Sequence, residues 1–113
     1  MTATLASSAL LVLCTCPDRA CAERLAETVV AERLAACVNI VPGLTSVYWW
    51  QGAVERADEV LLLAKTTTDV YPVLEARLRA AHPYELPEVI AVPMGAGSEP
   101  YLQWLTAAVS SAS

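Results

Sequence analysis

The sequence contains no phenylalanine, one histidine (His82) and one lysine (Lys65). Bases are scarce altogether: Lys and Arg number 7 against 12 Asp and Glu, for a formal net charge of −5. That balance excludes a general phosphate-backbone binder, which needs a basic stripe, so no nucleic-acid partner is expected. The apolar stretch from Ala9 to Cys14 is far short of the roughly 20 residues that span a bilayer, so no membrane partner is expected either. The first residues lack the basic region and A-x-A pattern of a secretory signal. Leu13 also stands before Cys14 where a lipoprotein signal carries a small residue. We read this segment as a first strand and expect a cytoplasmic protein. With a single histidine there is no Ser/His/Asp or Cys/His/Asn order, and no GxGxxG or Walker loop occurs, so no enzyme is predicted.

What is present suits one domain over residues 1–113, with fraying expected at 1–7 and 110–113. Hydrophobic residues make up 56% of the chain, enough for a real core. All four cysteines (Cys14, Cys16, Cys21, Cys37) fall in the first third. Without a secretory signal they read as free thiols, and their spacing does not form a zinc ribbon.

Hydrophobic periodicity orders the chain. Residues 8–15 (SALLVLCT) have the length of a strand and end at Pro17-Asp18. From Ala20 to Ala35 the apolar positions Ala22, Leu25, Ala26, Val29, Val30 and Leu34 recur three and four apart, which predicts an amphipathic helix capped by Asp18. Residues 36–51 and 53–67 read as a long hairpin turning at Gln51-Gly52, with Pro42 marking an edge position or a bulge. The run Val60 to Ala64 is continuously apolar and predicts cover on both faces. A second helix follows with Thr68 or Asp69 as cap and Pro72 in its first turn, then a strand over 86–94 and a last helix from Pro100 to Val109 with Ser98 as its cap. The order β-α-β-β-α-β-α predicts an α+β fold, a ferredoxin-like βαββαβ sandwich with an extra C-terminal helix.

The hairpin is long for its core. A domain of this size is about 35 Å across, whereas Val38 to Gln51 fully extended runs to about 45 Å. The tip carries Tyr48, Trp49 and Trp50. Such an arm invites association, and a homo-oligomer held by sheet edges and aromatic packing is expected.

Candidate ligand side chains follow from residue type and place. Cys14 and Cys16 are two apart, so on a strand they share a face and could hold Cu(I) or another thiophilic ion; Cys14 equally reads as a small core residue. Cys16, at the strand end before Pro17, is expected to be exposed. His82 before Pro83 is a natural helix stop. Tyr84 and Glu85 nevertheless place a phenol and a carboxylate beside its imidazole, a cluster able to bind a ligand or a metal, or to lock an interface. Lys65 reads either as a snorkelling edge residue or as the charge of an anion-binding cleft shared with Tyr48, Trp50 and Glu59. The tryptophans read as packing or interface anchors.

Three ordered blocks carry a resemblance. ERLAACVNIVPGLTSVYWWQG at 32–52, EVLLLAKTTTD at 59–69 and HPYELPEVIAVPMGAGSEPYLQWL at 82–105 resemble the CutA divalent-cation-tolerance family over roughly residues 8–107. The resemblance implies a fold close to that of the PII signalling proteins and a cytoplasmic homotrimer joined through the long hairpins. It implies a link to copper and heavy-metal tolerance, with Cys37 and His82 as candidate metal positions beside Cys16. Copper or another divalent cation is then the expected ligand, with none required for folding. A PII-like sensor is the alternative, binding a small metabolite or anion in an inter-subunit cleft of Tyr48, Trp50, Glu59, Lys65, Tyr84 and Glu85. A structural trimer with an indirect metal phenotype is the third reading.

Overall fold

Strand β1 (Ala9–Cys16) alternates its side chains across the centre of a four-stranded antiparallel sheet of order β2-β3-β1-β4. The computed structural model describes residues 5–110. Strands β2 (Cys37–Trp50) and β3 (Ala53–Thr67) form the long hairpin, and β4 (Val89–Pro93) closes the other edge. Helices α1 (Leu5–Ser8), α2 (Arg19–Ala31), α3 (Tyr71–Ala81) and α4 (Glu99–Ala108) complete the chain. This is the expected ferredoxin-like plan. A turn of helix stands at Leu5–Ser8, and Ser110 N donates to Arg33 O, so parts of both expected frayed ends are ordered; the remaining residues of those ends, 1–4 and 111–113, lie outside the described residues.

The core lies on one face of the sheet. Val12, Cys14 and Cys16 of β1 and Val60, Leu62 and Ala64 of β3 face α2 and α3, which bury Leu25, Val29, Leu74 and Leu78 against them. Truncating one of these leucines to alanine costs about 2–5 kcal/mol. Residues of the opposite parity (Leu11, Leu13, Leu61, Leu63) are only half-buried, and Ile90 and Val92 are exposed. The expectation that Val60 to Ala64 is covered on both faces therefore fails within one chain, because α2 and α3 lie on the same side and α4 meets the other face only near Leu11 and Lys65.

Local chemistry explains most boundaries. The Asp18 carboxylate caps α2 by accepting from Cys21 N at 2.8 Å. That helix stops at Ala31, short of the predicted Ala35, because Arg33 adopts φ +60 and turns the chain back toward β2. Helix α3 has Val70 at its N-cap, Pro72 in its first turn and no side-chain cap, so neither Thr68 nor Asp69 plays that part. It ends at His82, whose extended backbone meets Pro83. Ser98 stands at the N-cap position of α4 but makes no side-chain cap bond. The predicted strand over 86–94 shrinks to Val89–Pro93, and 82–88 form an irregular segment instead.

Strand β2 is an edge strand, with a bulge between Val41 and Leu44 where Pro42 has no N–H to give. The hairpin turns in two residues, Gln51 at φ 49 and Gly52 at φ 85, the paired positive angles that continue the right-handed twist of the strands. The molecule measures 47 × 26 × 22 Å, so the arm extends well past the core. Its tip is bare: Trp49 is 70% exposed. Among the described residues no helix is long and apolar enough to cross a membrane.

Candidate functional site: a buried thiol cluster and an acidic aromatic cleft

The segment from His82 to Glu88 joins two places of chemical interest. On the inner side His82 packs under the end of β1. Its Nε2 lies 2.8 Å from Thr15 O, and Tyr84 N donates to its Nδ1 at 3.1 Å. A nitrogen that accepts an N–H carries no proton, so Nε2 holds the hydrogen and donates it to Thr15 O. The imidazole is thereby the neutral tautomer with both nitrogens engaged by backbone. It also stacks obliquely on Tyr84, with ring centroids 4.7 Å apart.

Cys14 and Cys16 meet this ring. The ligand atoms of Cys14, Cys16 and His82 all lie within 4.8 Å of one another, and all three residues are buried. Metal–sulfur bonds of about 2.3 Å put two sulfurs about 4.6 Å apart across an ion, so the donor set fits a thiophilic ion of low coordination number. Cys16 is fully buried rather than exposed as expected, because the last turn of β1 is roofed by α2 and Cys21. Hydrogen bonding to Cys14 and burial push the Cys16 thiol far up, and burial pushes Cys21 up. Both are protonated at neutral pH, so a bound ion would have to release protons.

Cys37 does not join this cluster. It pairs with Lys65, whereas Cys16 pairs with Val60. The two positions have opposite parity on β3 and stand five residues apart, about 17 Å along the strand. Cys37 therefore lies on the far face of the sheet from Cys16 and His82. Its sulfur sits 3.8 Å from Lys65 Nζ.

On the outer side a cleft of about 570 Å³ opens between the hairpin and the 82–88 segment. Tyr48, Trp50, Glu59, Tyr84 and Glu85 line it, together with Glu88, which sequence reasoning missed. Glu59 is buried at 8% exposure and accepts the Tyr84 O–H at 2.7 Å. Burial, then the hydrogen bond to Glu59 and its charge, push the Tyr84 phenol well above its ordinary range.

Lys65 is absent from this cleft. It shares Glu59's parity but stands six residues further along β3, about 20 Å away, where Nζ donates to Asn39 Oδ1. Within one chain the cleft lining therefore holds three carboxylates and no Lys or Arg among the described residues.

Comparison with known proteins agrees with this architecture. Residues 10–108 match the family model described as CutA1 divalent ion tolerance protein. The Divalent-cation tolerance protein CutA of Thermus thermophilus is 54% identical over 95 residues, covering 84% of this chain and 92% of that relative. The protein of the same name from Yersinia pestis is 46% identical over 103 residues, covering 91% of this chain and 87% of the relative. Among solved structures, CutA1 from Oryza sativa superposes with a TM-score of 0.91 at 40% identity, covering 96% of this chain and all of that one, 100%. The matched span takes in the long hairpin, the HPYE segment and the sheet between them, and the chain belongs to the CutA divalent-cation-tolerance family.

Proposed function

We propose that this protein acts in divalent-cation tolerance by holding a thiophilic ion, copper in its reduced state foremost, at Cys14, Cys16 and His82. The observation that carries the reading is the convergence of these three side chains within 4.8 Å. Two thiols and an imidazole select soft and borderline ions over magnesium or calcium. When bound, the ion would replace the thiol protons and one of the two backbone partners of the imidazole. The names of the relatives, divalent-cation tolerance proteins, support the same role. All four cysteines are free thiols, which suits the reducing cytoplasm.

The reading is of a binding protein rather than an enzyme. The only imidazole spends both nitrogens on backbone partners, leaving no free general base of that kind. A homotrimer is part of the proposal. The half-buried sheet face of Leu11, Leu13, Leu61 and Leu63, with Ile90 and Val92 exposed beside it, is apolar, and α4 reaches it only at the Leu11 end. The number three comes from the family resemblance, and light scattering on the purified protein tests it.

The alternative, a sensor of a small metabolite or anion, concerns a cleft between subunits; within one chain Lys65 lies outside the cleft of Glu59 and Tyr84. The deciding experiment is anaerobic Cu(I) titration against a chromophoric competitor, using wild type, Cys14→Ala/Cys16→Ala and Cys37→Ser. Tight binding kept by Cys37→Ser and lost in the double variant is expected. Equal binding in wild type and the double variant, with both folded, overturns the assignment.

A further inference from the structure

We infer that the thiol cluster holds two monovalent soft ions, with Cys21 as a further ligand and Cys16 as the sulfur shared between them. The inference rests on the assignment of Cys14, Cys16 and His82 to a first ion and extends that site.

The first observation is the thiol that the site leaves over. Cys21 is 3% exposed and stands in the first turn of α2, roofing the end of β1. Its backbone is fixed there, because Cys21 N donates to the Asp18 carboxylate at 2.8 Å. Its side chain is in hydrogen-bonding contact with Cys16, and Cys16 makes a like contact with Cys14. Cys16 is thus the middle member of a chain of three buried thiols.

The second observation separates Cys21 from the first ion. Sulfurs bound to one ion stand about 4.6 Å apart or less, and the donors that meet this condition together are Cys14, Cys16 and His82. Cys21 is outside that group, so it reaches an ion through Cys16 and not through Cys14 or His82. A second ion between Cys16 and Cys21 then has two sulfur ligands, with Cys16 bridging. Among the described residues no further His, Cys, Asp or Glu donor converges on that pair. Two thiolates suit Cu(I) or Ag(I), which are soft and accept few ligands, whereas Zn(II) calls for four.

Charge balance permits the second ion. The first Cu(I) displaces the protons of Cys14 and Cys16 and leaves one net negative charge in the core. A second Cu(I) brings one positive charge and releases the Cys21 proton to solvent, so the buried net charge does not change.

The test is anaerobic Cu(I) titration against a chromophoric competitor, read as ions per folded chain, with zinc in parallel. Cys37→Ser serves as the parent protein so that the thiol on the far face takes no ion. Two Cu(I) per chain are expected for the parent and one for Cys21→Ala in that background, the remaining ion being held about as tightly as the first. Cys16→Ala should lose the second ion and weaken the first, and zinc should not fill a second position. X-ray absorption on the parent loaded with two Cu(I) should show a copper neighbour within about 4.6 Å, the limit that one shared sulfur sets. This measurement decides the question if Cys21→Ala does not fold. Absence of Cu(I) binding by the parent overturns both this inference and the site it rests on. One ion in both parent and Cys21→Ala, two ions in both, two zinc ions per parent chain, or no copper neighbour overturns this inference and leaves the first ion's site standing.

Discussion

The Tyr84 hydroxyl and the Glu59 carboxylate, 25 residues apart in sequence, meet in one hydrogen bond of 2.7 Å that ties the HPYE segment to the base of the long hairpin. This contact is the floor of the cleft, and it joins the element carrying His82 to the strand that pairs with β1. Removing it leaves a buried carboxylate without its donor. Tyr84→Phe should destabilise the fold by about 1–3 kcal/mol, measured by guanidinium unfolding. A Tyr84→Phe protein as stable as wild type would show that the bond is incidental.

His82 holds Thr15 O and Tyr84 N at once. Alanine there strands two backbone groups and opens a space beneath β1, a loss of about 2–4 kcal/mol in total. His82→Gln keeps one donor for Thr15 O and should lose less. If alanine and glutamine cost the same, the bond to Thr15 contributes nothing and only ring packing counts.

Alkaline pH should weaken the fold. The ordinary values are 9.0 for the thiols and 10.0 for the phenols. Hydrogen bonding to Cys14 and burial raise Cys16, burial raises Cys21, and burial raises Tyr71 and Tyr84. Above about pH 9 the unfolded chain therefore binds fewer protons than the native one, and stability falls as pH rises. Below that pH these groups are protonated in both states, and their contribution is fully present. Guanidinium midpoints under reducing conditions should decline from pH 9 to 10.5; a flat or rising series contradicts this.

The four thiols should separate by accessibility. Cys14, Cys16 and Cys21 are buried, while Cys37 is partly open beside Lys65. A disulfide reagent added to the native apo protein should titrate at most one thiol per chain quickly, and Cys37→Ser should abolish that phase. The remaining three should react on unfolding. Two or more fast thiols in the native protein would contradict the buried cluster.

Elements set by neighbouring residues were legible from the chain alone. Apolar spacing marked the strands and helices, Asp18 marked the start of α2, Gln51-Gly52 the hairpin turn and Pro42 the bulge, because each depends on side chains or backbone within one or two turns. The arm length also followed from residue count and rise per residue. Tertiary structure alone decided where α2 stops. Arg33 takes its left-handed conformation while its guanidinium donates to Ala107 O and Ala108 O at the end of α4, contacts more than seventy positions away in the chain. It likewise decided which functional side chains meet. Cys37 and Lys65 carried the right chemistry for the cluster and the cleft, but strand register places Cys37 on the opposite face from Cys16 and Lys65 six residues along β3 from Glu59. Composition records which groups are present; pairing register and strand parity decide which of them share a face and a depth, and those depend on partners distant in sequence.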